Sequence, residues 1–194
     1  MRRVLALVLS GLLAAAVACS DETVTTTPAS SPPVSRTPAQ ETPDTEQPSP
    51  TQSRASSATA GNTLDLTGNN DGEKLAVTVV KVVDPAGAKN QYSSPDASMR
   101  FVAVQFRLKN TGTAVYNDSP SNGAKVVDTQ GQQFDATYGD TNAGPAFPGS
   151  VTIAPGDTGL GFITFEVSVA SKIAKVQFAM NSGFSGNTGQ WTVP

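Results

Sequence analysis

The 194-residue chain carries one Cys, no His and a formal net charge of -3, and 15% of its residues are charged. Without His it lacks the commonest general base, the commonest transition-metal ligand and every Ser-His or Cys-His nucleophile pair; one Cys leaves neither an intrachain disulfide nor a thiolate metal cluster. Mild acidity with Lys and Arg spread along the chain argues against nucleic acid as a partner, which would need a basic stripe.

Arg2 and Arg3 precede Val4 to Val17, fourteen residues without a charge, and then come Ala18 and Cys19. A charged start, a short apolar run and small residues at its close predict an export signal over residues 1–18. As a helix the apolar run rises about 21 Å, short of the roughly 30 Å hydrocarbon core, so it is not read as a permanent span. Ala16-Val17-Ala18-Cys19 resembles the bacterial lipobox, in which small residues precede an obligatory Cys. The resemblance implies a mature chain that begins at a lipidated Cys19, anchored on the outer face of the bacterial cell membrane. Several acyl chains, at about 0.8 kcal/mol per buried methylene, hold a protein where one chain is marginal. The alternative is an ordinary secreted protein whose Cys19 falls near the cleavage point. Arg2-Arg3 leaves general secretion and twin-arginine export both open.

Residues 20–60 include 7 Pro, 9 Thr and 8 Ser, with Val24 and Val34 as the only aliphatics beyond Ala. Such a stretch buries too little apolar surface to offset its ordering entropy, so residues 19–60 are expected to form a lipidated Cys and a disordered tether. Proline biases it toward extended geometry, with a contour limit on the order of 130 Å.

From Gly61 to Pro194 lie all eight Phe, all three Tyr and the single Trp, which marks 61–194 as the folded domain. Its hydrophobic period is two. Leu75, Val77 and Val79 continue as Val80 and Val82 after a one-residue phase change, the signature of a bulge. Val102, Val104, Phe106 and Leu108 alternate with Gln105, Arg107 and Lys109 within a strand over Met99–Asn110. Ala124–Asp128 and Gln132–Tyr138 flank Asp128-Thr129-Gln130-Gly131, a hairpin turn with Gly131 at positive φ. Two later strands follow from Ile163, Phe165 and Val167 and from Val176, Phe178 and Met180. No window makes a three-turn amphipathic helix. Short strands with Gly, Pro, Asn and Asp between them predict an all-β domain, an immunoglobulin-like antiparallel β-sandwich preceded by the disordered tether.

Asn110-Thr111-Gly112 closes one strand, Asp128-Thr129-Gln130-Gly131 turns the next hairpin, and Pro155-Gly156-Asp157-Thr158-Gly159 leads a late strand that runs to Val167. This order resembles the immunoglobulin-like domain of bacterial lipoproteins known only as a domain of unknown function, DUF4352. It is similar in architecture to a small immunogenic secreted protein of mycobacteria. The resemblance spans about Leu64 to Val193; it implies an extracytoplasmic β-sandwich and brings no catalytic residues with it.

Several local patterns invite a chemical reading. Asp157-Thr158-Gly159 matches the tripeptide of aspartic proteases, whose chemistry needs a second carboxylate, but it follows Pro155-Gly156 and reads as a turn. Asn69-Asn70-Asp71-Gly72 resembles the start of an EF-hand loop, yet the count from Gly72 puts Thr67 first and Thr78 twelfth. A turn is the reading there, with weak Ca²⁺ coordination by Asp65, Asp71 and Glu73 as the alternative. Gly183-Phe184-Ser185-Gly186-Asn187 approaches a nucleophile elbow but ends in Asn. Ser171 and Lys172 are adjacent, and neighbours on a strand face opposite ways. Trp191 reads as core or sheet-edge packing.

Three connections, 84–98, 139–149 and 182–189, carry Tyr92, Phe147 and Phe184. These aromatics are candidate contacts for a partner; the alternative is that each folds back as a lid on the sandwich. The expected protein is therefore a lipid-anchored, non-catalytic binding module for a protein or an envelope polymer, with no cofactor and no metal. An accessory subunit of a membrane or envelope complex is the second reading, and a His-free hydrolase using Asp or a Ser-Lys pair is the third.

Overall fold

The computed structural model describes residues 54–194. The predicted export signal, Cys19 and the tether as far as residue 53 lie outside the described residues. The fold begins inside the stretch assigned to the tether, because Arg54–Thr59 forms a strand, β1. Its sequence, RASSAT, has no apolar alternation; it is a strand because it pairs in parallel with Asn187–Thr192, β11.

Between them run β2 (Thr63–Thr67), β3 (Lys74–Ala86), β4 (Met99–Asn110), β5 (Tyr116–Asp118), β6 (Ala124–Asp128), β7 (Gln133–Thr137), β8 (Val151–Ile153), β9 (Thr158–Ser168) and β10 (Ile173–Ala179). One short helical turn, Pro120–Gly123, precedes β6. The strand order β1-β11-β10-β6-β7-β9-β4-β3-β2 folds into two layers that share β7, which pairs with β6 on one side and β9 on the other. Every pairing in this order is antiparallel except β1 with β11, and β5 and β8 form a separate antiparallel pair.

The core is what the period of two implies. Leu75, Val77 and Val79 of β3, Val102 to Leu108 at even positions of β4 and Ile163 to Val167 at odd positions of β9 are all buried. Across from them stand Val126, Val176, Phe178 and Trp191, and the Phe106 and Phe178 rings meet at 5.5 Å between centroids, tilted by 45°. The phase change in β3 is a bulge: the register with β4 shifts between Val79 and Lys81.

The β6–β7 turn closes as its residues predict, with Gly131 at φ 88 and its N–H donating to Asp128 O at 3.1 Å. The Asp128 carboxylate accepts from Gln130 N and Gln132 N at 2.9 Å each. Burial works against its charge, but hydrogen bonds from the Gln132 N–H, the Ser171 hydroxyl and the Gln130 N–H outweigh it and hold the carboxyl below the usual range. A carboxyl that titrates below its unfolded value of about 3.9 stabilises the fold above that pH, and the contribution is lost as pH falls through the folded pKa. Asp128→Asn is thus expected to narrow the gap between urea midpoints at pH 7 and pH 3; an unchanged gap would place the acid sensitivity elsewhere.

Candidate functional site

Tyr92 sits in a 3-10 turn, Gln91–Ser93, between β3 and β4; its N–H donates to Asn90 Oδ1 at 2.9 Å, and the residue is 90% exposed. Phe184 is 84% exposed between β10 and β11, and its carbonyl accepts from Asn69 Nδ2 at 3.4 Å. Asn69 precedes the first residue of β3, whereas Tyr92 follows the last. These two aromatics therefore stand at opposite ends of a 13-residue strand, roughly 40 Å apart in contour. Phe147 joins neither. It is half-buried with its ring over Gly159 and Gly161, and its N–H donates to Phe162 O at 3.0 Å, so it folds back as a lid on the core.

The Tyr92 end holds a cleft that the reading of the loops missed. Strand β2 stops at Thr63, opposite Thr78, and Gly61 N donates to Val79 O at 2.8 Å. Beyond that point β3 continues to Ala86 with β4 on one side and, among the described residues, no strand on the other. The uncovered half of β3 faces the start of β10 and the end of β11 across a cleft of about 650 Å³. Val80, Val82, Val169, Ile173 and Val193 give it apolar walls, and Lys81, Lys172, Arg100 and Asp84 are among its other lining residues. The signal in the sequence was the phase change at Val79-Val80, which marks where the strand leaves its neighbour.

Arg100 fixes the shape of this end. Its Nε donates to Asp84 Oδ1 at 2.6 Å and its Nη2 to Asp84 Oδ2 at 2.8 Å, a bidentate pair. Nη2 also reaches Ser171 O at 2.9 Å, and Nη1 donates to Ser168 O. One guanidinium thus ties β3 and β4 to the β9–β10 connection, and the hydrogen bonds it donates to Asp84 hold it more firmly charged than usual. Its donors are committed to the scaffold, which makes it a positioning group for the cleft.

The opposite end is polar and closed on itself. Asn181, Ser182 and Gly183 all take positive φ, at 54°, 55° and 89°. Two carboxylates pin this left-handed turn. Asp118 accepts from Ser182 Oγ at 2.6 Å and Ser182 N at 2.8 Å, and Glu73 accepts from Asn181 Nδ2 at 3.0 Å. The bonds from Asn181 and then Asn70 lower the Glu73 pKa, while burial and then Asp118 push the Tyr116 hydroxyl up. Glu73 is engaged in this turn, and among the described residues no three His, Cys, Asp or Glu side chains form a metal-binding group. Asp157 lies in the turn its sequence predicts, with its N–H donating to Ala154 O at 3.0 Å and Gly156 at φ 86. Ser185 is buried and its Oγ donates to Thr67 O at 2.8 Å, a bond that fastens the loop to β2.

Residues 69–189 match the family described as a domain of unknown function, DUF4352. Among solved structures, the chain is similar to the secreted protein MPT63 of Mycobacterium tuberculosis, with 19% identity over 72% of this chain and 98% of that one and a TM-score of 0.51. It is also similar to a candidate lipoprotein of Bacillus subtilis, at 16% identity over 65% of this chain and 38% of that one, with a TM-score of 0.47. A third is an uncharacterised β-sandwich protein of Clostridium difficile, at 10% identity over 75% and 99% of the two chains and a TM-score of 0.41. No curated protein matches the chain. Among the described residues no helix is long and apolar enough to cross a membrane.

Proposed function

The chain belongs to the DUF4352 family, and from that premise we propose that it is a non-catalytic, extracytoplasmic binding module, lipid-anchored through Cys19, that engages a protein partner at the Tyr92 end. The observation that carries this reading is the coincidence of the uncovered half of β3 with the cleft beside it. An extended segment laid along that half takes main-chain hydrogen bonds from the strand edge, and its alternate side chains enter the apolar walls; this is recognition by strand addition. Lys81 and the bulge discourage edge-to-edge pairing between two copies, as charged and bulged edges do elsewhere. The exposed ring of Tyr92, in the connection that follows the same strand, offers a rigid amphipathic contact at this end.

Photocrosslinkers placed in whole cells at Val82 and at Tyr92 are expected to yield the same discrete adduct, and one placed at Thr113, exposed beside Gly72 at the opposite end of β3, none. Equal labelling from all three positions would end the cleft reading. For the anchor, Cys19→Ala is expected to move the protein out of the membrane fraction; a variant that stays there unchanged would show that Cys19 holds no lipid.

A further inference from the structure

The cations dispersed along the sequence are gathered by the fold. The outer face of the β2-β3-β4-β9 sheet is covered toward the Tyr92 end, where Phe101, Ala103 and Phe162 pack under Ala88 and Ala143. On the rest of that face the register assembles Lys74, Lys81, Arg107 and Lys109, all exposed. Lys109 stands opposite Ala76, two residues from Lys74; Arg107 stands opposite Thr78, and Lys81 opposite Gln105. The acid in these rows is Asp65, across from Ala76, while Glu166 lies at the other end, across from Phe101. The ion pairs among the described residues are Arg100 with Asp84 and Lys125 with Asp135, so no carboxylate holds any of the four. A protein of net charge -3 thus presents one positive face.

Side chains two apart on a strand stand about 7 Å apart, and adjacent strands about 4.8 Å apart. Such a flat array meets a flexible linear polymer whose charges repeat at similar intervals, and each contact releases a counterion. The outward residues of β3 and β4 include no exposed aromatic ring on which bases could stack, which disfavours single-stranded nucleic acid. We propose that the outer face of β3 and β4 binds a linear phosphate-bearing polymer of the cell envelope, at a surface that meets the cleft only at Lys81.

The test titrates the full-length chain with a synthetic glycerol-phosphate oligomer by calorimetry. Binding at 50 mM salt is expected to weaken at least ten-fold at 300 mM salt. Arg107→Ala with Lys109→Ala is expected to lower affinity at least ten-fold, whereas Lys89→Ala with Lys175→Ala, the same charge loss elsewhere, changes it less than two-fold. Lys109→Arg is expected to retain binding, which separates lost charge from a damaged fold. No binding at 50 mM salt, equal loss from both double variants, or tighter binding to an oligonucleotide or to anionic vesicles would overturn the proposal. Crosslinking at Val82 reads the cleft independently, so the two proposals fail separately.

Discussion

Trp191→Ala is expected to lower the stability of the domain by about 3 to 5 kcal/mol, the range for emptying a site filled by a large buried aromatic. Trp191 is fully buried, and its Nε1 donates to Asn62 O at 2.9 Å. That bond links β11 of one sheet to the turn from β1 to β2, where the chain crosses to the other. The ring also packs close to Gly189, where an added Cβ would approach Trp191 Cη2 to 2.7 Å. Since domains of this size are stable by roughly 5 to 15 kcal/mol, the variant is expected to sit near the edge of folding. Trp191→Phe keeps much of the apolar area and loses the indole donor, so its expected cost is about 1 kcal/mol. Urea melts followed by circular dichroism separate the two, and a cost below 1 kcal/mol for Trp191→Ala would show that the crossing holds without the ring.

Gly112→Ala comes second, with an expected cost of about 3 kcal/mol, the upper part of what overpacking does. A Cβ there would stand 1.9 Å from Gly72 O and 2.7 Å from Lys74 N, both backbone atoms that cannot turn aside. Asn110, two residues earlier, is buried and spends its whole amide on the same corner. Its Nδ2 donates to Ala114 O at 2.8 Å and Ile153 O at 2.9 Å, and its Oδ1 accepts from Gly112 N at 3.0 Å. Asn110→Ala would take the amide donor from the Ala114 and Ile153 carbonyls and leave the Gly112 N–H only its bond to Lys74 O, each lost bond costing about 1 kcal/mol and more where the group stays dry. Thermal melts of Gly112→Ala, Asn110→Ala and an exposed control such as Thr111→Ala make the comparison. A Gly112→Ala melt within a degree or two of the wild type would mean that the loop shifts freely.

The same corner explains why part of this fold was legible. Asn110-Thr111-Gly112 signals its conformation because short-range chemistry dictates it: one amide closes the turn on itself, and the glycine lets two backbones touch. Gly131 is legible for the same reason, as a positive-φ position whose N–H closes on Asp128 O, and Pro155-Gly156-Asp157 is legible as a turn. Strand β4 was readable to its ends because its alternation is set by burial on one face. What could not be read depends on partners far away in sequence. RASSAT becomes a strand only where β11 passes, and the cleft exists because β2 is eight residues shorter than the strand it pairs with. Composition registers Lys74, Lys81, Arg107 and Lys109 as scattered charges, and only the register of β3 on β4 shows them as neighbours. Tyr92 and Phe184 were legible as loop aromatics, but nothing local says that they occupy opposite ends.

Strand β1 runs parallel to β11 from the pair Arg54–Asn187 to the pair Thr59–Thr192, so the chain joins the sandwich at the Phe184 end. The cleft, with Ala60 and Gly61 in its wall, opens at the other. Tension between an upstream attachment and a partner held in the cleft would therefore act along the axis of β1. Its cross-strand hydrogen bonds lie across that direction, so they are loaded in shear and must yield together, where a strand pulled from its side would unzip one bond at a time. Strand β1 is thereby oriented as a clasp that would resist a pull applied at its Arg54 end.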